Sequence, residues 1–161
     1  EHMARHDSLT GALTRRAFLD ACEQELERDR RKNRVSSLLI MDLDHFKAVN
    51  DSYGHQAGDR VLIDFVDRVG GLLRRPDQFG RFGGEEFVAL LPETTLDEAL
   101  VVAERIRAGV EQARAQPGCT VSIGVATSVP GEGAMDTILG RADEALYRAK
   151  AAGRNCVRAA A

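Results

Sequence analysis

Three acidic residues in two separate segments have the side chains and the positions that divalent cations and phosphates require. Asp42 ends an apolar run of strand length, and Glu85 and Glu86 follow two glycines. A carboxylate at the end of a buried strand costs several kcal/mol to remove from water unless a positive group meets it. Carboxylates that converge from a strand end and a nearby turn favour Mg²⁺, a hard ion that also binds phosphate oxygens. These residues predict a Mg²⁺ site and a substrate that carries nucleotide phosphates.

Each of these acids also has a purely structural interpretation. Asp42 alone is more simply explained as a solvated strand terminus. The Glu pair has the alternative of an exposed polar turn, since hairpin tips are hydrophilic. Two adjacent acids repel each other and contribute nothing to a core, which favours the functional interpretation for the pair. Nearby, Asp44 is predicted to be the N-cap of a helical turn at residues 45–50.

The phosphate site must be of an unusual kind. The chain has neither a Gly-x-x-x-x-Gly-Lys-Ser/Thr loop nor a Gly-x-Gly-x-x-Gly motif after a strand. The helix start at residues 45–47 offers free backbone N–H groups, which favour anions. Lys150 and Arg154, near the end of the last predicted helix, are candidate cations for the same site. Cations in that position also stabilise a helix end with no ligand present, by about 0.3–1 kcal/mol.

Hydrophobic spacing predicts the helices and strands that position these residues. Apolar residues recur at helical spacing in four segments, at 14–34, 59–75, 95–110 and 135–149. Strand-like runs lie at 35–43, 79–82, 87–91, 120–127 and 155–158. Gly83 and Gly84 between two of these runs predict a hairpin with Glu85 and Glu86 at its tip. The pattern predicts an α+β fold, with a central mixed, mostly antiparallel sheet flanked by helices.

The composition limits the class of protein. The chain has 161 residues, of which 43% are hydrophobic and 29% are charged, and its net charge is −3. This composition excludes a disordered chain, and the slight negative charge argues against a binder of nucleic-acid polymers or membrane surfaces. We expect residues 1–3 to be a remnant of cloning and residues 4–161 to form a single domain.

Two further features bear on the compartment. No apolar run approaches the roughly 20 residues that a transmembrane helix needs, and no signal peptide is recognised. The three cysteines are far apart and form no Cys-x-x-Cys pair, which is typical of a reduced compartment. The sequence therefore predicts a cytoplasmic domain without membrane contact.

Gly83-Gly84-Glu85-Glu86-Phe87 resembles the signature of GGDEF-domain diguanylate cyclases, in the variant with Glu at the third position. The resemblance covers nearly the whole chain. Other segments that match the family in order are Asp7-x-Leu9-Thr10-Gly11, Asp42-Leu43-Asp44-His45-Phe46-Lys47-x-x-Asn50-Asp51, Tyr53-Gly54-His55, Gly58-Asp59, Arg81-Phe82, Ser122-Ile123-Gly124 and residues 142–155.

The resemblance implies a palm-like, ferredoxin-like nucleotidyl-cyclase fold that condenses two GTP into cyclic di-GMP and releases two pyrophosphates. Each domain holds one GTP, so catalysis is expected to require a homodimer. Mg²⁺, with Mn²⁺ as an alternative, is the implied cofactor. A sensor domain is expected upstream of Arg5. Two alternatives stay open: a module that binds GTP or cyclic di-GMP without turnover, and a palm-type cyclase that uses ATP.

The resemblance also assigns roles to individual residues. The implied metal ligands are Asp42, the carbonyl of Leu43, Glu85 and Glu86, and Glu85 is also the implied catalytic proton acceptor. Guanine is contacted by Asn50 and Asp59, because an amide and a carboxylate can meet its acceptor and donor edge. The remaining implied substrate contacts are His45, Phe46, Lys47, His55, Lys150 and Arg154.

Arg74 and Asp77 stand at the spacing of the family's Arg-x-x-Asp inhibitory site, where product binds away from the active site. Arg105 matches the second arginine that often completes that site. The planar guanidinium group suits the role because it pairs with phosphate and guanine oxygens. Without the resemblance, an arginine at a helix end near a loop aspartate is the simpler interpretation.

Overall fold

The computed structural model describes residues 4–113, 117–130, 132 and 134–160. The expected cloning remnant at residues 1–3 lies outside the described residues. The elements in chain order are α1 (Arg15–Lys32), β1 (Ser37–Leu43), α2 (Phe46–Tyr53), α3 (His55–Gly70), β2 (Gln78–Gly83), β3 (Glu86–Leu91), α4 (Leu96–Gln112), β4 (Val121–Thr127), α5 (Met135–Ala151) and β5 (Val157–Ala159). Within the described ranges, none of the helices combines the length and apolar character needed to span a bilayer.

The five strands form one sheet in the order β2-β3-β1-β4-β5. The central strand β1 pairs antiparallel with β3 on one side and with β4 on the other. At the two edges, β2 runs antiparallel to β3 and β5 runs parallel to β4. The predicted α+β fold with a mixed, mostly antiparallel sheet is therefore confirmed.

Helices cover both faces of the sheet, so β1 is buried on both sides, as its continuous apolar run predicts. Leu39 and Met41 point to the face that α2, α3 and α4 cover. Leu38 and Ile40 point to the opposite face, which α1 and α5 cover. Each such buried side chain stabilises the fold by about 1.5–3 kcal/mol relative to exposure. The core therefore fixes the central strand and the position of the acid at its end.

Gly124 on β4 allows α5 to lie unusually close to the sheet. A Cβ at this position would overlap the carbonyl oxygen of Ala142 and the backbone of Leu146, so only glycine fits. This close packing sets the path of α5, whose last turn carries Lys150.

The bounds of α3 differ from the prediction at both ends. The helix begins at His55 rather than Asp59, because its first turn buries only the small residues Ala57 and Gly58, which give little hydrophobic signal in the sequence. It ends at Gly70 rather than near Arg75. Leu72 and Leu73 keep the helical spacing but lie in a turn that hydrogen-bonds back to Val69, after two glycines that weaken the helix.

Candidate active site

The structure brings the acidic residues of the two segments together. Asp42 on β1 lies opposite Glu86 on β3 in the antiparallel register. Glu85 lies in the two-residue turn between β2 and β3, and its carbonyl oxygen accepts the Leu43 N–H at 3.2 Å. Glu86 is thus the first residue of a strand, and only Glu85 lies at the hairpin tip. Asp42, Leu43 and Glu85 line one cleft of about 190 Å³.

Cationic residues from the end of α5 line the same cleft. The ammonium of Lys150 donates to Oδ2 of Asp42 at 2.8 Å, in a pair whose side chains are 35% and 15% exposed. Arg154, just beyond the helix, also lines the cleft. Lys47 reaches the rim, but its ammonium donates to Asp51 and the side chain is 91% exposed. The Asp42 carboxylate therefore meets a positive group, as its burial requires.

The start of α2 forms the wall of the cleft beside these cations. Its N-cap is His45, with a left-handed φ of 57° and no capping bond from its side chain. The first N–H groups of the helix therefore have no side-chain partner, and such groups favour an anion. The Phe46 ring is buried and fixes this end of the helix to the core.

Asn50 and Asp59 come from two helices that pack closely together. Gly58, on the first turn of α3, is packed so closely against the Asn50 side chain that a Cβ would overlap it. Asp59 follows Gly58 and is exposed, while Asn50 is half-buried. His55 is the exposed first residue of α3. Asn50 thus lies on the helix whose start lines the cleft, and Asp59 and His55 lie on the helix packed beside it.

Negative charge dominates the surroundings of Glu86. Burial raises the pKa of Glu86, and the neighbouring charges of Asp42 and Asp143 raise it further. The charges of Lys150 and Arg15 oppose the rise without cancelling it. An additional cation in this region would relieve the repulsion between the carboxylates.

The donor set fits a hard divalent cation. Among the described residues, no group of three or more His, Cys, Asp and Glu side chains converges to hold an ion by itself. The cleft is instead lined by the acidic residues Asp42 and Glu85 and by Leu43, whose backbone carbonyl is a further oxygen donor. Mg²⁺ in nucleotide enzymes is held in this way, by one or two carboxylates together with substrate phosphates and water.

The three residues of the expected inhibitory site are only partly assembled. The Arg74 guanidinium donates to the Asp77 carboxylate at 2.9 Å, and also to the Pro92 carbonyl and the Thr94 hydroxyl. Arg105 is exposed on α4, and within the described chain no hydrogen bond or ion pair joins it to Arg74 or Asp77.

The predicted N-cap role of Asp44 is wrong. His45 is the N-cap, and the buried Asp44 carboxylate instead accepts hydrogen bonds from the hydroxyls of Thr120 and Ser122. These hydroxyls come from the β4 segment, so nothing near Asp44 in the sequence reveals the contact. The sequence signal for this contact is the pair of hydroxyl residues, Thr120 and Ser122, at alternate positions where β4 begins.

Comparison with known proteins agrees with this geometry. The family model for "Diguanylate cyclase, GGDEF domain" matches residues 4–156. The chain is 46% identical to diguanylate cyclase DgcM of Escherichia coli K12, over 99% of this chain and 39% of DgcM. It is 38% identical to the cyclic di-GMP phosphodiesterase NbdA of Pseudomonas aeruginosa, over 95% of this chain and 20% of NbdA. The chain thus spans less than half of either relative.

The fold matches a solved structure over nearly its full length. The crystal structure of the GGDEF domain of DgcB from Caulobacter crescentus in complex with c-di-GMP superposes with a TM-score of 0.92. The two sequences are 34% identical, and the match covers 99% of this chain and 97% of that one. The expected palm-like fold is confirmed, and the chain belongs to the GGDEF-domain family of diguanylate cyclases.

Proposed function

We propose that this chain binds GTP and, as a homodimer, condenses two GTP into cyclic di-GMP with release of two pyrophosphates. The observation that carries the proposal is the convergence of Asp42 and Glu85 from two chain segments on one cleft that Lys150 and Arg154 also line. Acids for a metal, cations for phosphates and an uncapped helix start meet there, which is the set that nucleotidyl transfer needs.

Asp42, the carbonyl of Leu43 and Glu85 hold Mg²⁺ in this proposal, or Mn²⁺ in its place, and Glu86 adds a fourth ligand. The bound ion supplies charge for the attacking oxygen and for the leaving group. The 3′-hydroxyl oxygen of one GTP forms a bond to the α-phosphorus of the other, and the bond to pyrophosphate breaks. The reciprocal attack by the second 3′-hydroxyl closes the ring and releases the second pyrophosphate. Glu85 accepts the hydroxyl proton.

The remaining contacts orient the nucleotide. Asn50 and Asp59 bind the guanine edge. His55, on the same helix as Asp59, adds a further contact. The N–H groups of His45 and Phe46, with Lys47, Lys150 and Arg154, bind the triphosphate. Each chain binds one GTP, so two chains must face each other for the reaction to occur.

Product inhibition completes the proposal. Cyclic di-GMP binds at Arg74, Asp77 and Arg105 and restrains the cyclase. Arg105→Ala is the cleaner test, because Arg74 also holds Pro92 and Thr94 and its loss disturbs the local fold. Arg105→Ala and Arg74→Ala should each raise the product concentration needed for half inhibition by about tenfold, because each removes one charged hydrogen-bond donor. The exposed neighbour Arg75→Ala is the matched control, and equal inhibition in all three variants would refute the site.

A second candidate is a module that binds GTP or cyclic di-GMP without turnover. It is favoured by the similarity to a segment of NbdA, a protein named for cyclic di-GMP hydrolysis rather than synthesis. In a longer protein, sensor segments upstream of Arg5 then set the distance between two such modules.

The decisive experiment incubates the protein with GTP and Mg²⁺, at several protein concentrations, and identifies the product by mass spectrometry. Cyclic di-GMP that forms more than linearly with protein concentration supports the dimeric cyclase. GTP binding by calorimetry without any product, even at high protein concentration, supports the binding module. A parallel assay with ATP tests the specificity assigned to Asn50 and Asp59, and equal turnover of ATP would contradict it.

A further inference from the structure

The buried carboxylate of Asp44 is saturated with hydrogen bonds to the protein itself. Its side chain lies at the cleft, but the residue is only 5% exposed. Oδ1 accepts the Ser122 hydroxyl at 2.7 Å, and Oδ2 accepts the Thr120 hydroxyl at 2.8 Å and the Asn155 N–H at 3.0 Å. With three donors on two oxygens, Asp44 is a poor ligand for substrate or metal, and its role must lie in what it holds.

The segment that Asp44 holds has an unfavourable backbone conformation. Gly153, Arg154 and Asn155 all have positive φ, of 114°, 66° and 46°. For residues other than glycine this conformation persists only where surrounding contacts enforce it. Arg154 is the residue of this segment that lines the cleft.

Asn155 is clamped from a second direction by α4. Its side-chain oxygen accepts from the Arg107 guanidinium at 2.9 Å, and its amide donates to Glu111 at 2.6 Å. The Asn155 N–H meanwhile donates to Asp44. The segment after α5 is therefore fixed between α4 on one side and the end of β1 on the other.

Asp44 also fixes the turn on which α2 begins. Its N–H donates to the Thr120 carbonyl at 2.8 Å, which extends the β1–β4 pairing by one residue. The next residue, His45, has a φ of 57°. The carboxylate of Asp44 thus ties the end of β1 to the start of β4 and to the segment that carries Arg154, while its backbone N–H holds the turn before α2.

We propose that Asp44 is a positioning residue, whose carboxylate holds the Arg154–Asn155 segment against the end of β1 in the geometry that grips a nucleotide triphosphate. The proposal rests on the function proposed above for the same cleft. Asp44 contacts neither GTP nor metal. Its loss therefore weakens GTP binding and leaves the chemical step largely intact.

The anchor itself is tested without nucleotide, by hydrogen exchange of backbone amides. In Asp44→Ala the Asn155 amide should lose its protection while amides in the middle of β1 keep theirs. Asp44→Asn keeps an acceptor for the Asn155 N–H and can turn its NH₂ group toward Ser122, so protection should be retained. Asp29→Asn is the matched control, a carboxylate that is 4% exposed and bonded to a serine, on the α1 side of the sheet. Unchanged Asn155 protection in Asp44→Ala overturns the proposal.

Kinetics with GTP test the consequence for binding. Asp44→Ala should raise KM by about tenfold, the cost of misplacing one charged phosphate contact, with kcat within about threefold of wild type. Asp44→Asn should restore KM to within about threefold, and Asp29→Asn should leave it unchanged. In an Arg154→Ala background, Asp44→Ala should add little, because both changes remove the same contact. A loss in kcat with normal KM would overturn the positioning role and assign Asp44 to the chemistry.

Two outcomes require separate treatment. If Asp44→Ala does not fold, Asp44→Ser, whose shorter side chain does not reach the Asn155 N–H, takes its place, and unchanged Asn155 protection in that variant overturns the proposal. Wild-type protein that neither binds nor converts GTP contradicts the proposed function, whereas the exchange experiment still decides whether Asp44 anchors the segment.

Discussion

The two ends of β1 bury similar polar groups in different surroundings. Before the strand, the Asp29 carboxylate accepts the Ser36 hydroxyl at 2.6 Å. Beyond its other end, the Asp44 carboxylate accepts the Ser122 hydroxyl at 2.7 Å. Both carboxylates are about 5% exposed or less. A buried acid with a serine partner is thus compatible with a purely structural role and does not by itself indicate a site.

The two ends of β1 differ in the setting of a second acidic residue, Glu93 before the strand and Asp42 at the cleft end. Before β1, Glu93 pairs with Arg34 while 58% exposed, a setting in which an ion pair contributes little. At the cleft end, Asp42 is 15% exposed, lies opposite Glu86 and is met by Lys150. Keeping several carboxylates together at low exposure costs free energy that the fold does not need. We infer that the cleft end is retained for a ligand.

The largest effect is expected from neutralising the acid at the cleft end of β1, with the acid before the strand as the control. Asp42→Asn should lower cyclic di-GMP formation by about 100-fold or more, because a charged group that binds the reacting centre is lost. Asp29→Asn should change the rate by less than about twofold. The measurement is initial rate with saturating GTP and Mg²⁺. Full activity in Asp42→Asn would contradict the metal assignment, and a large loss in Asp29→Asn would remove the contrast between the ends.

A smaller effect is expected from removing Lys150, the cation that pairs with Asp42 at the cleft end. In the absence of nucleotide, the Lys150 ammonium donates to Oδ2 of Asp42, one of the two oxygens available to the proposed metal. Lys150→Met should therefore tighten Mn²⁺ binding by about fivefold, the value of roughly 1 kcal/mol for a partly exposed pair. The free ion is followed by electron paramagnetic resonance. Lys47→Met is the control, because Lys47 pairs with the exposed Asp51, and equal shifts in both variants would count against direct competition.

Sequence patterns predicted the features that depend on local spacing. The helix predicted over 95–110 begins at Leu96, where Thr95 Oγ1 accepts the Glu98 N–H and Glu98 accepts the Thr95 N–H. The continuous apolar run that becomes β1 predicted a strand covered on both faces. Together with the glycine pair, it also placed Asp42 and Glu85 near each other, because an adjacent hairpin and a central strand share a sheet.

The features that were missed depend on partners far away in the chain. Asp44 binds Thr120 and Asn155, which lie 76 and 111 residues further on. Local pattern cannot rank such contacts, because several partners satisfy the same hydrogen-bonding group.

The smallest effect concerns stability and its dependence on pH. Burial and the charges of Asp42 and Asp143 raise the pKa of Glu86, so folding disfavours its ionised form. This cost is absent below the ordinary Glu pKa of about 4.5, grows as the pH rises through the raised pKa, and persists at pH 7. Glu86→Gln should therefore raise Tm by about 1–2 °C at pH 7 and by nothing at pH 4. Thermal unfolding at the two pH values measures the difference.

Thermal unfolding in the presence of Mg²⁺ compares the two ends of β1. Burial also raises the pKa of Asp29, so Asp29→Asn should show the same pH dependence as Glu86→Gln. An ion bound near Asp42 stabilises ionised Glu86 and should narrow the gain in Tm from Glu86→Gln. It should leave the gain from Asp29→Asn unchanged, because no cation site is proposed before β1. If Mg²⁺ narrows both gains equally, the ion acts by general screening, and the distinction between the ends of β1 does not hold.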